Sequence, residues 1–408
     1  MSLKDAQNHH YREQKSEWQT ARRMFTGDFS PKQLLPRGPY EATLAYEKRI
    51  KIADFHRHTA ILIGRLSGSL MQREAGVERT VGQLTPSLMA SIGPEGESYR
   101  QQLSVLIDSL LLYNECWVWV NPTPNGAEMH VVSPLQVPRW KDDSVLMLGT
   151  ASKPGVPIDQ PEETDTTYTV HRPTGYQTYM IRTNNAGKEK RVEVDSGSYG
   201  DEAFFVDENG RPAPPIFRIR MPWKSPFGLS VAESHQQLYK MRNELDMGST
   251  SGLNSSIATV TGVSGDEQEQ KVVKAMKNGD QLVFLPDEAE MEPFELSTGN
   301  IEAAEARLQA KREDMYRTAY ANLEESAQSA TAAAVNRGES VGAALSQLAG
   351  TVESAEETIL RFVEQSVNIQ DLGGPMPQES DVSVDWPRDF QQVDLQGDSQ
   401  GNGQGQGD

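Results

Sequence analysis

The chain has 408 residues, which is too long for one simple core and predicts two or three packed units. It carries 58 acidic residues against 39 lysines and arginines, and its net charge of −19 argues against wrapping nucleic acid by phosphate neutralisation. The only cysteine, Cys116, excludes an intramolecular disulfide framework and a cysteine-based zinc cluster, and favours a reducing compartment.

Neither a secretory signal nor a membrane span is expected. Residues 1–18 are polar and charged, without an apolar core segment. The richest apolar stretch, residues 103–120, is interrupted by Asp108, Asn114 and Glu115. Hydrophobic residues make up only 37% of the chain, so large surfaces are expected to face solvent or neighbouring subunits.

Residues 1–112 are predicted to be mostly helical, because apolar residues recur every three or four positions over residues 62–70 and 99–110. His56 and His58 stand two apart on a predicted helix, and this spacing places them on different sides. We expect both to be surface or packing histidines rather than metal ligands.

Residues 116–221 change to an apolar period of two, which predicts an antiparallel β region rather than a βαβ array. One of Trp117 and Trp119 on its first strand is expected to face the core, and a base-stacking platform is the lesser alternative. Proline, asparagine and glycine at 122–126 predict a turn. The further predicted strands are 129–132, 145–148, 166–171, 177–182, 191–194, 203–206 and 217–220.

Helices return after Pro226-Phe227-Gly228. A first long helix ends near residue 248, and a second spans residues 300–320. The segment between them is too short to bury a large core alone. It is predicted to contain strands at 259–263, 281–285 and 292–296 and a helix at 267–277.

A polar break at residues 323–330 precedes the last long helix. That helix carries an apolar heptad seam, long enough for packing between helices but short for an autonomous coiled coil. The seam consists of Leu345, Leu348, Val352, Ala355, Ile359 and Phe362.

No signature of an enzyme is visible in the sequence. The chain has no Gly-x-x-x-x-Gly-Lys-Ser/Thr loop, no strand-borne Gly-x-Gly-x-x-Gly and no Gly-x-Ser-x-Gly elbow. Acidic pairs such as Asp142-Asp143 stand in predicted loops and are expected to be solvated. We therefore expect a protein that is not an enzyme, without catalytic residues, cofactor or bound metal.

Several short motifs point to one family. They are Tyr46-x-x-Arg49, Ala53-Asp54-Phe55 with Gly64 and Gly68, Pro226-Phe227-Gly228-Leu229-Ser230, Ala330-Thr331-Ala332 with Ser340 and Leu345, and Trp386-x-x-Asp389-Phe390. With the order of elements, they resemble the portal proteins of tailed bacteriophages, which form a ring at one capsid vertex. The resemblance covers most of residues 1–390 and lies in element order and short motifs.

The resemblance implies an α+β, predominantly helical fold with portal architecture: wing, stem, clip, tunnel loop and short crown. The implied segments are a wing (1–226), a first stem helix (227–250), a clip (251–299), a second stem helix (300–320), a tunnel loop (321–330), a long wing and crown helix (331–369), and an acidic C-terminal segment (370–408) with a disordered Gly/Gln tail.

The resemblance also implies partners. The protein would form a homo-oligomeric ring of twelve copies in the virion, assembled in the host cytoplasm. It would contact the major capsid protein, the terminase large subunit and a head–tail adaptor, and no membrane. Double-stranded DNA would pass without sequence specificity, and ATP hydrolysis would come from the separate terminase.

By the same resemblance, the polar break at 323–330 projects inward as the constriction of the channel. Glu324 and Glu325 would form stacked acidic rings that repel phosphates so that DNA slides without sticking, and Gln328 would also line the channel. On the helix leading into the loop, cationic side chains could supply a weaker attraction, although exposed salt bridges are their commoner fate. These cations are Lys311, Arg312 and Arg317.

Two alternatives remain open. The first is a virion structural part that never conducts DNA, such as a scaffold or a tail connector. The second is an acidic helical hydrolase whose active site follows no known motif.

The Gly/Gln tail generates the first prediction. Removing residues 397–408 should leave assembly of the ring unchanged, because low-complexity polar sequence cannot offset the entropy of its own ordering. Native mass spectrometry of the full and shortened chains measures this, and loss of the ring on shortening would contradict it.

Overall fold

The fold is α+β and is described from a computed structural model. The structure describes residues 7–37, 43–80, 86–123, 126–141, 143–152, 164–183, 189–199, 205–207, 209–223, 226–254, 257–261, 290–294, 298–328, 337–372, 382–388 and 390. Its helices are α1 (His9–Thr26), α2 (Pro31–Leu34), α3 (Thr43–Ile52), α4 (His58–Met71), α5 (Pro86–Ala90), α6 (Tyr99–Tyr113), α7 (Phe227–Asn254), α8 (Thr298–Gln328) and α9 (Arg337–Leu372).

The strands are β1 (Glu78–Thr80), β2 (Glu115–Thr123), β3 (Gly126–Val132), β4 (Arg139–Lys141), β5 (Ser144–Ser152), β6 (Thr164–Arg172), β7 (Gly175–Thr183), β8 (Glu189–Ser198), β9 (Ile216–Arg220), β10 (Ile257–Thr261), β11 (Glu290–Phe294) and β12 (Ser383–Asp385). They form four antiparallel sheets, ordered β1-β12, β10-β11, β3-β2-β9 and β4-β5-β6-β7-β8.

The chain divides into two compact units. The first contains Met1–Ala21, Ile61–Leu229 and Ala321–Asp408, and the second contains Arg22–Ala60 and Ser230–Tyr320. Two units agree with the number expected from chain length. Among the described residues, no helix is both long enough and apolar enough to cross a bilayer.

The predicted antiparallel β region is confirmed. Six of the predicted strands after β2 in this region have counterparts. Of the predicted strand 203–206, residues 203–204 lie outside the described part, and Val206 makes an isolated bridge with Pro212. Trp117 and Trp119 both pack with the core cluster between the sheets, so the expectation that only one faces the core was wrong. Residues two apart on a strand share a face, and this face is interior, which leaves no base-stacking platform there.

The last helix is the central element of the first unit. All six positions of the predicted heptad seam are buried. The seam was expected to pack on another helix, whereas α9 lies against β2, β3, β9 and β12. An apolar stripe specifies a buried face of a helix and not the kind of element that covers it.

One carboxylate on α9 holds the closing segment of the chain. Glu356 is fully buried, and its Oε1 accepts a hydrogen bond from Nε of Arg79 at 3.0 Å. The buried indole N–H of Trp386 donates to Oε2 of the same carboxylate. Burial raises the pKa of Glu356, although Arg79 favours its charged form.

The neighbouring acidic side chains of α9 extend this attachment. Glu353 accepts the backbone N–H of Trp386 at 2.9 Å and the guanidinium of Arg388 at 2.8 Å. The backbone N–H of Val384 donates to Glu357 at 3.4 Å. Trp386, singled out above as part of a family-like motif, is thus a packing residue with a polar anchor.

The corner after α6 sets the start of α7. Asn114 caps α6 in the left-handed conformation with φ of 65°, and its side-chain amide donates to the carbonyl of Trp223 at 2.9 Å. Gly228, in the first turn of α7, lies directly against the Leu112 backbone. A Cβ on Gly228 would come within 2.4 Å of the Leu112 carbonyl oxygen.

The Gly228 contact generates the second prediction. Gly228→Ala should lower the free energy of unfolding by about 1–3 kcal/mol, because the backbone of Leu112 would have to move. Gly64→Ala is the matched control, since no atom lies within 4 Å of its Cβ position in α4. That change should stabilise the chain by about 0.5–1 kcal/mol. Denaturant unfolding compares them, and equal effects would contradict the close-approach argument.

Candidate functional site

The predicted tunnel loop is helical in most of its length. Helix α8 continues to Gln328, so Glu324, Glu325 and Gln328 belong to its last turns, and the predicted end of the helix at residue 320 was wrong. Residues 321–328 contain no glycine or proline and are rich in Ala, Glu and Gln, which favour helix wherever the apolar stripe stops. Residues 329–330 of the predicted loop lie outside the described part.

Helical geometry separates the two glutamates. Glu324 and Gln328 are four positions apart and share a face of α8, whereas Glu325 is displaced by about 100° from Glu324. The three residues therefore do not form one uniform polar face. Their role at a channel stays a prediction.

The three predicted cationic residues of α8 have different neighbours in the structure. Lys311 and Arg317 both pair with Asp314, at 3.8 Å and 2.7 Å, so they form the salt bridges along the helix that were the commoner alternative. The hydrogen bond from Arg317 lowers the pKa of Asp314, with Lys311 adding to the effect. The three-residue spacing that brings these side chains together is visible in the sequence, but Asp314 had not been singled out.

Arg312 lies elsewhere on α8, near His58, and its charge disfavours protonation of that histidine. His58 is the first residue of α4, whereas His56 precedes the helix, so the helical spacing assumed for this pair was wrong. Their rings are 5.9 Å apart and stacked. Because Asp54 pairs with the exposed His56 at 2.8 Å, only His58 of the two is a packing residue.

A histidine on α7 completes this cluster of the second unit. Nδ1 of His235 lies 2.9 Å from the hydroxyl of Thr59, and the ring stacks on Phe55 at 5.0 Å. The ring of His58 meets His235 edge-on at 5.3 Å, and its Nδ1 lies 3.4 Å from the hydroxyl of Tyr316 on α8. The cluster thus joins the start of α4 to α7 and α8.

Both buried histidines of the cluster are held neutral. Burial lowers the pKa of His58 to about 4, and the neighbouring His235 adds to this effect. Burial likewise lowers the pKa of His235 to about 4. Among the described residues, no three His, Cys, Asp or Glu side chains are arranged to hold a metal ion. The cluster is therefore a packing site with titratable members.

Helix α8 uses only a narrow stripe for packing within the second unit. Met315 and Ala319 are buried, and Ala304 and Leu308 are partly exposed on the same stripe. Most other described side chains between residues 302 and 317 are exposed. The helix therefore has a large polar surface for solvent or for another polypeptide.

Comparisons with known proteins add little to this geometry. Residues 239–366, less than half of the chain, match a family described as a domain of unknown function, DUF4055. No curated protein matches the chain.

Among solved structures, the chain is similar to one in the "Virion of native gene transfer agent (GTA) particle", with 14% identity, 90% of this chain and 89% of that chain covered, and a TM-score of 0.32. Chains from the necks of the empty GTA particle, computed with C6 symmetry, and of the native particle, computed with C12 symmetry, each give 14% identity, 87% coverage of both chains and a TM-score of 0.33. At such TM-scores, none of these matches assigns a fold or an activity.

The buried histidines generate the third prediction. Between pH 6.5 and about 4, His58 and His235 are protonated in the unfolded chain but stay neutral in the folded chain. The free energy of unfolding should therefore decrease as the pH falls through this window. His235→Gln should reduce the stability difference between pH 7 and pH 5 by about 1–2 kcal/mol. Denaturant unfolding at both pH values measures the difference.

His9→Gln is the control for this prediction, because the side chain of His9 is 79% exposed. It should retain the full pH dependence of the unaltered chain. An equal pH dependence in His235→Gln would show that the buried ring does not contribute.

Proposed function

We propose that the chain is a phage-type portal protein, a homo-oligomeric ring of twelve copies at the capsid vertex of a virion. It would conduct double-stranded DNA during packaging and ejection. The observation that carries the proposal is the order of elements after the β region. Helix α7, the paired strands β10 and β11, helix α8 and the long helix α9 follow one another as stem, clip, stem and crown helix do in the resemblance.

Two features support assembly with other copies. The narrow packed stripe of α8 leaves most of its described surface without cover in the second unit. A two-stranded sheet such as β10-β11 is marginal alone in water, and strand edges are open to augmentation by a neighbouring chain. A closed ring supplies both kinds of burial by repeating one contact.

The charge of the chain supports passage of DNA rather than its capture. With a net charge of −19, walls built from many copies would repel phosphates and keep a duplex from sticking. The ring would be passive and not an enzyme. The sequence has no phosphate-binding loop, so a terminase docked at the clip would hydrolyse ATP, and an adaptor would replace it after packaging.

Electron microscopy of the purified full chain, with native mass spectrometry, tests the proposal. We expect a closed ring with a central opening wide enough for duplex DNA. Closed assemblies without an opening would favour a scaffold or tail connector, and a monomer would contradict both. Turnover in ATPase or nuclease assays would contradict a passive ring.

The end of α8 generates the fourth prediction. Replacing Glu324 and Glu325 together by Lys should leave ring assembly intact and reduce the yield of DNA-filled heads roughly tenfold, because cationic rings would retain phosphates. Since the two positions are about 100° apart on the helix, the single replacements distinguish the position that faces DNA.

The control for this charge reversal lies on the same helix. Glu302 and Glu305 are exposed near the start of α8, and replacing both by Lys makes the same change in net charge. Packaging should stay normal in the control. Equal packaging in both double variants would contradict a channel role for the end of α8.

A further inference from the structure

A histidine on β6 lies buried between two sheets of the first unit. The side chain of His171 is 0% exposed. Within the five-stranded sheet its neighbours are Val145 on β5 and Tyr176 on β7, which stand opposite it in the strand register. From the three-stranded sheet, the ring of Trp119 on β2 lies 5.0 Å from the imidazole, centroid to centroid. Nothing in the proposed channel function uses this histidine.

The imidazole of His171 is held by packing alone. Neither ring nitrogen has a hydrogen-bond partner in the described part of the chain, and each exposes less than 1 Å² of surface. That surface is too small for contact with a water molecule. Buried polar groups are seldom left in this way, because desolvation without a hydrogen bond is unfavourable.

On the side of β7, the titratable group beside His171 is a tyrosine. The ring of Tyr176 lies 6.1 Å from the imidazole, and its hydroxyl donates to Asp195 on β8 at 3.2 Å. Burial raises the pKa of Tyr176, and the neighbouring Asp195 adds to this effect, so the phenol is neutral. The carboxylate of Asp195 is engaged one ring away and does not offset a charge on His171.

On the side of β2 and β3, the titratable group is a second histidine. His130 on β3 stacks on Trp119 at 4.6 Å, and its Nε2 lies 3.5 Å from a carboxylate oxygen of Glu128. Glu97 also favours the charged form of His130. A proton on His130 disfavours a proton on His171, so this side offers repulsion rather than a counter-ion.

We infer that His171 is a proton-sensitive contact between the two sheets, and that the contact opens when the imidazole takes up a proton. An imidazolium has two N–H donors, and the closed contact offers neither an acceptor nor water. The five-stranded sheet must therefore move away from Trp119 before the charge is solvated. Burial correspondingly lowers the pKa of His171 to about 4 while the sheets are in contact.

Two thiols distinguish this opening from unfolding of the whole unit. Thr169 is buried and lies two residues before His171 on β6, so Thr169→Cys places a thiol on the same face of the strand. Cys116 is fully buried on β2, three positions from Trp119 and hence on the opposite face of that strand. Separation of the sheets exposes the first thiol, whereas only unfolding of the core exposes Cys116.

Thiol labelling of the full-length Thr169→Cys chain tests the inference. A pyridyl disulfide, which also reacts with thiols in mild acid, is applied at pH 7 and at pH 5.5. Each rate is divided by that of the denatured chain at the same pH. We expect this ratio at residue 169 to rise roughly eightfold at pH 5.5, because His171 in the open form would bind a proton with the ordinary pKa of 6.5. Mass spectrometry should find Cys116 unlabelled in the same molecules.

Substitutions of the two histidines assign the effect. His171→Phe keeps an aromatic ring without a titratable group, so the pH effect at residue 169 should vanish. His171→Leu repeats the test with a side chain that lacks the larger ring. His130→Gln is the matched control, since it removes the neighbouring histidine, and it should retain most of the pH effect.

Three outcomes would overturn the inference. The first is a labelling ratio at residue 169 that is the same at both pH values. The second is labelling of residue 169 and Cys116 together, which would show that the whole unit unfolds. The third is a pH effect that persists in both His171 variants or disappears in His130→Gln. None of these readouts depends on the proposed ring, because the contact lies within one chain.

Discussion

A buried negative charge on α9 fixes the arrangement of the first unit. The carboxylate of Glu356 is buried away from water and needs hydrogen-bond donors, and these come from Arg79 on β1 and from Trp386 after β12. Removing one partner of such a buried pair typically costs about 3–5 kcal/mol, because the other charge remains buried and uncompensated. The pairing of β1 with β12 follows from this constraint, since both strands flank the same carboxylate.

The helix that carries Glu356 also packs on the β region of the first unit. Its apolar seam covers the three-stranded sheet, and further along the helix Arg361 and Phe362 reach a cavity beside β9. A chain with a strong negative charge thereby has a local cationic cavity.

The second unit is organised by packing of aromatic and neutral histidine rings, and its helices have less apolar cover. His235 joins Thr59 and Phe55, while α8 contributes Tyr316 and a short buried stripe. The surface of α8 is mainly charged, and Asp314 draws Lys311 and Arg317 into local pairs. Such solvated pairs stabilise little. In the proposed ring, the large polar surface of this helix would contact neighbouring copies on one side and form part of the channel wall on the other.

Sequence patterns predicted the kind and order of the described elements: the strands of the β region, the buried seam from Leu345 to Phe362, and the helices on either side of β10 and β11. The predicted helix 267–277 and the predicted strand 281–285 lie outside the described residues. Periodicity and turn residues are local properties, so they can be recognised in the sequence without knowledge of the fold. The end of α8 was misjudged because loss of an apolar stripe was taken as loss of helix, although residues 321–328 favour helix by propensity. Only the folded chain shows which polar groups meet: Arg79 and Glu356 are 277 positions apart, and His235 and Thr59 are 176 apart. Pairing at such separations depends on how buried faces stack, and no local pattern encodes it.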